Sequence, residues 1–287
     1  MPADNVSKAV LITGCSTGIG RATALHLAKR DWTVYATARR LESIADLADA
    51  GCRTLALDVT DEDSIASAVG AVEQEHGAVG VLVNNAGYSQ SGTIEEVPMA
   101  EVRRQFETNV IGLARCCQLV LPAMRSQRWG RIVNVSSMGA NFVFPGGGYY
   151  HATKFAVEAL SDALRFEVKG FGVDVVIIQP GLIRTEFGET AVSAAGAAAI
   201  DDGPYAKFNE RLAKATVEVY ENRGPMARLG GGPETVAKAI EKAISARRPR
   251  RRYRVTPSAH LLINQRRMMT DGMWDAMMRT QFPSPGA

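Results

Sequence analysis

Tyr150 and Lys154 lie four residues apart in a stretch, Tyr149 to Val168, that reads as helix, so they share a face. A tyrosine with a pKa of about 10 is a slow acid or base near neutrality. An adjacent ammonium favours the phenolate and draws that value toward the working range. The pair suits delivery of a proton to an oxygen on which negative charge develops. Tyr149 is the poorer choice, because the residue four positions on is Thr153. Ser137 follows the apolar run Arg131 to Val135, and its hydroxyl could hold the same oxygen. Ser136 is the alternative, but strand alternation turns it to the opposite face.

A second group suits phosphate. Ala9-Val-Leu-Ile-Thr13 leads into Gly14-Cys-Ser-Thr-Gly-Ile-Gly20 and then a helical stretch to Arg30. Glycines permit a tight turn and let backbone N–H groups approach a pyrophosphate at the positive end of a helix. The spacing G-x-x-x-G-x-G is not the general dinucleotide fingerprint G-x-G-x-x-G. A glycine-rich turn without a ligand is the plain alternative.

The elements that must hold these residues alternate. Strands are predicted at 33–37, 54–58, 79–83, 131–135 and 173–178. Between them lie helices: one opening at Thr60, with Asp63 three residues on, one from Pro98 to Arg128, and one at 149–168. Continuously apolar strands separated by helices imply a doubly wound α/β fold, its mostly parallel sheet covered on both faces. Beyond Pro180 the alternation lapses into an Ala- and Gly-rich stretch at 188–204 and a helix from Tyr205 to Tyr220. Pro233, after Gly230-Gly-Gly232, suits a helix start, and Arg252 to Thr256 could add a last strand. One domain is expected, with an excursion at 186–228 suited to a substrate lid and an extension at 247–287.

Composition excludes several classes. The 287 residues are 46% hydrophobic and 22% charged, as in ordinary globular chains, and a net charge of +3 does not suggest a nucleic-acid binder. Cys15, Cys52, Cys116 and Cys117 have no C-x-x-C spacing, and the four histidines are scattered, so no metal site is expected. The start has no basic flank before an apolar run, and no apolar stretch reaches membrane-spanning length. A reduced, cytoplasmic protein is the expectation.

Together the motifs resemble the short-chain dehydrogenase/reductase family. The likeness rests on Thr13-Gly14-x-x-x-Gly18-Ile-Gly20, Asn84-Asn85-Ala86-Gly87, Asn109, Ser137, Tyr150-x-x-x-Lys154 and Pro180-Gly181, in the family's order and spacing from residue 8 to about 186. It implies a Rossmann-type fold and hydride exchange between a nicotinamide cofactor and a carbonyl/alcohol pair. It implies a catalytic set of Asn109, Ser137, Tyr150 and Lys154, with Lys154 also on the nicotinamide ribose and Asn109 supporting a proton relay through a local helix distortion. Cofactor contacts are implied for Gly14, Ser16, Thr17, Gly18, Ile19 and Gly20, for Asp58 and Val59 beside the adenine, and for Asn85, Ala86 and Gly87. Pro180, Gly181, Ile183 and Thr185 are implied near the nicotinamide. The family's NAD-type acid falls at Ala38, and Arg39 and Arg40 follow. Guanidinium matches a 2′-phosphate bidentately, so NADP(H) is expected over NAD(H). A homodimer or homotetramer through the helices around 100–128 and 150–168 is implied too. A rival, a silent cofactor-binding scaffold of the same fold, has the intact tetrad against it.

The substrate should be a hydrophobic ketone, aldehyde or alcohol, walled by Phe142, Phe144, Tyr149, Phe187, Tyr205, Phe208 and Met226. Six arginines fall within Arg247–Arg254, followed by a Met-rich amphipathic tail from Ala259 to Met278. A solvated connection is the plain reading of the run. The tail could cap the pocket, meet another subunit or touch a membrane surface.

Overall fold

A computed structural model of the chain describes residues 6–186, 203–220 and 228–285. Short apolar runs form β1 (Val10–Ile12), β2 (Val34–Ala38), β3 (Arg53–Ala56), β4 (Val81–Asn84), β5 (Gly130–Val135), β6 (Val173–Pro180) and β7 (Arg252–Val255). They build one sheet in the order β3-β2-β1-β4-β5-β6-β7, and every pairing is parallel. Every residue of β1, β2, β4 and β5 is buried, because helices cover both faces.

Those helices are α1 (Gly18–Ala28), α2 (Glu62–His76), α3 (Met99–Phe106), α4 (Gly112–Ser126), α5 (Gly148–Val168), α6 (Ala206–Tyr220), α7 (Pro233–Ser245), α8 (Pro257–Met268) and α9 (Asp271–Gln281). Side chains leave a strand on alternate faces. Val10, Ile12, Val81, Val83 and Val133 meet Ala24 and Leu27 of α1 and Val236 and Ile240 of α7. Leu11, Leu82 and Ile132 meet α2, α4 and α5 through Ile65, Val72, Val120 and Val157. The chain runs outward from β1 to β3, then returns to start β4 on β1's other side. Ligands bind beyond the carboxyl ends of strands at such a reversal.

The structure departs from the sequence reading in two places. The helix expected from Pro98 to Arg128 is divided by a π-turn at Glu107–Ile111. The cap of α2 is Asp61, not Thr60: Asp61 accepts from the N–H groups of Asp63 and Ser64, while the Thr60 hydroxyl donates to Asp58 at 2.8 Å. The 247–287 segment supplies the last strand, β7, and then α8 and α9, which pack on Met138 and Phe142 through Ala259, Ile263, Trp274 and Met278. Phe187, Met226 and most of the expected lid, including its alanines and glycines at 191–199, lie outside the described residues. Among the described residues, no helix is long and apolar enough to cross a membrane, and the four cysteines are buried with free thiols.

Candidate active site

The glycine loop is shaped by what its neighbours leave room for. Gly14 and Gly18 have φ of +73° and +57°, a region that side chains other than glycine's rarely enter. A Cβ on Gly14 would lie 2.9 Å from Ala86 Cα, and one on Gly20 would overlap the Gly14 carbonyl and lie 2.5 Å from Asn85 Nδ2. A Cβ on Gly18 would lie 3.3 Å from Thr185 Cβ, so this loop and the segment after β6 face one another. Asn85 Nδ2 donates to the carbonyls of Thr13 and Gly14, both at 2.9 Å. Thr13 Oγ1 accepts from the N–H groups of Asn85 and Ala86, both at 3.0 Å. The loops after β1 and β4 are thus stitched into one floor. Thr13, read from sequence only as a strand end, is one of the stitches.

A dinucleotide fits this floor. The Thr17 side chain does not cap α1, which begins at Gly18, so the N–H groups of Ser16 to Gly20 and the helix's positive end suit a pyrophosphate. Arg39 and Arg40 are exposed just past β2, with no carboxylate partner for either among the described residues. Asp58, past β3, accepts from the Thr60 N–H and hydroxyl, and the Val59 carbonyl is pressed against Gly112.

Next to this floor sits the polar group. Lys154 is only 6% exposed. Its Nζ donates to the Val135 carbonyl at 2.9 Å and lies 5.8 Å from the centre of the Tyr150 ring. Burial pulls its pKa from 10.5 down to about 8, against the opposing pull of Glu158. Asn109 is buried in the π-turn; its Nδ2 donates to the Tyr88 carbonyl at 2.9 Å and Thr153 Oγ1 at 3.1 Å, and its Oδ1 accepts the Tyr88 N–H. The extra residue in that turn breaks the regular helical spacing at Asn109. Thr153 in turn donates to the Tyr150 carbonyl at 2.7 Å. A Cβ on Gly87 would sit 3.0 Å from Asn109 Oδ1 and 3.8 Å from Lys154 Nζ. Tyr150, Lys154, Asn109 and Gly87 are therefore neighbours.

Ser137 reaches this group through its loop. Its Oγ accepts the Gly139 N–H at 3.0 Å and caps a short 3₁₀ turn, Met138–Ala140. Ser136 Oγ is instead buried with no partner among the described residues. His151, the residue after Tyr150, fastens the loop. Its Nδ1 donates to the Gly139 carbonyl at 2.7 Å and its Nε2 accepts the Phe144 N–H at 3.2 Å. Both bonds require the neutral ring, and burial depresses its pKa although the Gly139 contact opposes this. In the sequence His151 is only one of four scattered histidines. No motif marks it in the sequence; only in the folded chain do Gly139 and Gly147 come so close that an added Cβ would lie 2.7 Å and 3.0 Å from its ring.

The C-terminal helices pack against the loops at Ser137 and Gly181. Trp274 Nε1 donates to the Val143 carbonyl at 3.2 Å, and its ring packs 5.5 Å from Phe142 and 6.0 Å from Phe144. Ser258 Oγ accepts the Leu182 N–H, and Gly181 sits so close to Thr256, Ser258 and Ala259 that no side chain fits there. Ile183 bridges to Gly231, so the Pro180–Thr185 segment is held from two sides. Ser258 and Trp274 had no motif to mark them. Of the expected wall, Phe142 is core of the C-terminal cluster and Phe208 packs with Leu212 against Phe282. Tyr149 and Tyr205 bond outward, to the Ile94 carbonyl and Glu95. In the tail, Trp274 and Met278 point inward, while Leu261, Met268 and Met273 are exposed.

A glycine cradle at the β1–β4 reversal, beside a buried lysine and a tyrosine, defines a dinucleotide-binding α/β protein. The chain matches the model of the family described as short chain dehydrogenase over residues 8–195, and it belongs to that family. It is 34% identical over 272 residues to 3-ketodihydrosphingosine reductase of Bacteroides thetaiotaomicron, covering 94% of this chain and 96% of that protein. It is 32% identical over 274 residues to NADPH-dependent 3-dehydrocapnine reductase of Ornithobacterium rhinotracheale, covering 92% and 94%. A short-chain dehydrogenase from Streptomyces avermitilis matches its fold with a TM-score of 0.73 at 32% identity, covering 96% and 94%. The protein is an oxidoreductase of this family, acting on CH–OH groups with a nicotinamide cofactor.

Proposed function

We propose that the protein reduces a ketone carried on a long hydrocarbon chain, using NADPH, with Tyr150 as the proton donor. The observation that carries this reading is the burial of Lys154 beside Tyr150, with Asn109 and Gly87 against it. A bound nicotinamide supplies the hydride. Ser137 holds the carbonyl oxygen, and Tyr150 gives it the proton as charge develops there. The Lys154 ammonium favours the phenolate that Tyr150 leaves, and Asn109, beside Gly87, supports the return of a proton from solvent. The glycine loop, Asp58, Val59, Asn85–Gly87 and Pro180–Thr185 hold the cofactor.

NADPH is favoured by Arg39 and Arg40, without a carboxylate partner among the described residues, at the end of β2 where Ala38 offers no acid to a ribose, and by the NADPH-dependence in one relative's name. Both relatives are named for reduction at a 3-keto or 3-dehydro position, and the aromatic packing behind Ser137 suits a carbonyl flanked by hydrocarbon. Exposed Phe155, Leu160 and Phe166 on α5, the last 86% exposed, support a homodimer or homotetramer through that helix. The test is steady-state oxidation of NADPH and NADH with long-chain 3-ketones and with short ones. Faster turnover with NADPH and long chains is expected, and Arg39→Ala should erode the cofactor preference about tenfold. Equal rates with both cofactors, or none with any ketone, would refute the reading.

A further inference from the structure

We propose that the loop before β7, together with the outer face of α8, forms a docking surface for an anionic lipid bilayer. Charge is sharply segregated here. Nine of the chain's 33 basic residues, and none of its 30 acidic ones, fall between Lys242 and Thr270. The chain's net charge is only +3, so everything outside that segment is acidic on balance. The fold uses two of the nine as struts: Arg252 bridges to Glu158 and Asp162 of α5, and Arg266 pairs with Asp271. Arg247, Arg248, Arg250, Arg251 and Arg267 remain exposed, and among the described residues none has a carboxylate partner.

The apolar component lies on the same surface. Leu261, Asn264 and Met268 follow one another at helical spacings of three and four, so they form one stripe on α8. Leu261 is 49% and Met268 79% exposed, and Met273 at the start of α9 is 53% exposed. Arg254 reaches over from β7 and donates to Asn264 Oδ1 at 2.9 Å, which sets a guanidinium between the two apolar side chains. Burial, and then the neighbouring Arg267 and Arg252, depress its pKa. Cations that ring protruding hydrocarbon suit the boundary between phosphate headgroups and acyl chains. A nucleic acid would use the arginines but leave Leu261 and Met268 against water. A second copy facing this surface would set arginine against arginine. The inner faces of α8 and α9 brace the loops at Ser137 and Gly181, which leaves the outer face of α8 for docking. The inference goes beyond the proposed reduction, and its test reads no turnover.

The full-length protein should sediment with vesicles of phosphatidylcholine and phosphatidylglycerol, not with phosphatidylcholine alone, and high salt should release it. The pair Arg254→Glu and Arg267→Glu should weaken binding about twentyfold or more, at roughly fivefold per removed cation. The pair Leu261→Asp and Met268→Asp should also lose binding, with the thermal transition and circular dichroism of both pairs unchanged. The proposal is overturned if the protein pellets with neither vesicle or if the aspartate pair binds as the parent does. It is overturned equally by tighter binding to duplex DNA that the aspartate pair does not alter, or by a change of oligomeric size in that pair without vesicles. Vesicle binding without ketone turnover would contradict the proposed reduction and leave the docking surface standing.

Discussion

The glycine-loop side of the crevice, proposed for the nucleotide, is made of backbone. Gly14, Gly18 and Gly20 are there because a Cβ would strain or overlap the neighbouring chain, and Asn85 and Thr13 fix the loops by bonds to main-chain atoms. The side proposed for the substrate is made of side chains. Phe142, Phe144, His151 and Trp274, brought together from segments up to 132 positions apart, hold the Ser137 loop in place. Backbone geometry tolerates one residue type at a position, whereas packing tolerates many of similar volume. The two sides should therefore fail differently when altered, and their failures should separate.

The largest effect should come where the two sides meet. Lys154→Met should lower kcat for ketone reduction about a thousandfold. It should also raise stability near neutrality by about 1–2 kcal/mol, because the buried ammonium is penalised wherever it is protonated. The sign follows from a folded-state pKa pulled down to about 8. The native protein should gain stability as pH rises from about 8 toward the unfolded value of 10.5, and the variant should not. Parallel thermal melts across that range check this. Gly20→Ala should weaken NADPH binding about a hundredfold by fluorescence titration, its Cβ forcing the Gly14 carbonyl and Asn85 apart.

Trp274→Ala sharpens the contrast from the other side. It should cost about 3 kcal/mol of stability and raise the ketone KM roughly tenfold. The dissociation constant for NADPH should stay within twofold of the parent. A matched loss of NADPH affinity would show that the two sides are not separable. The smallest effect should lie at His151, a positioning residue that must stay neutral to make both its bonds. Its depressed pKa means that its contribution to stability is complete above about pH 6.5 and is lost as pH falls below that. In His151→Gln, the drop in thermal transition between neutral and acidic pH should shrink by about 1 kcal/mol in equivalent stability.

The same contrast explains what the sequence could reveal. The sheet was legible because strands covered on both faces are apolar at every position, as β1 and β4 are. The glycine loop and the Tyr150–Lys154 pair were legible because their chemistry admits few substitutes at fixed spacing. The π-turn at Asn109 left no compositional mark, since it holds neither proline nor glycine and only the resemblance implied a distortion. Asp61 took the cap expected of Thr60 because the Thr60 hydroxyl is spent on Asp58. The direction in which the C-terminal tail turns its two faces was hidden, because its apolar residues are split between the core around Trp274 and the exposed row of Leu261 and Met268.

The central claim, that Tyr150 moves the proton on a floor that binds the cofactor without it, is tested most directly in Tyr150→Phe. NADPH binding and ketone turnover would be measured on the same preparation. The account predicts a dissociation constant within about twofold of the parent and turnover lower by a factor of about 10³. Turnover within tenfold of the parent would contradict it.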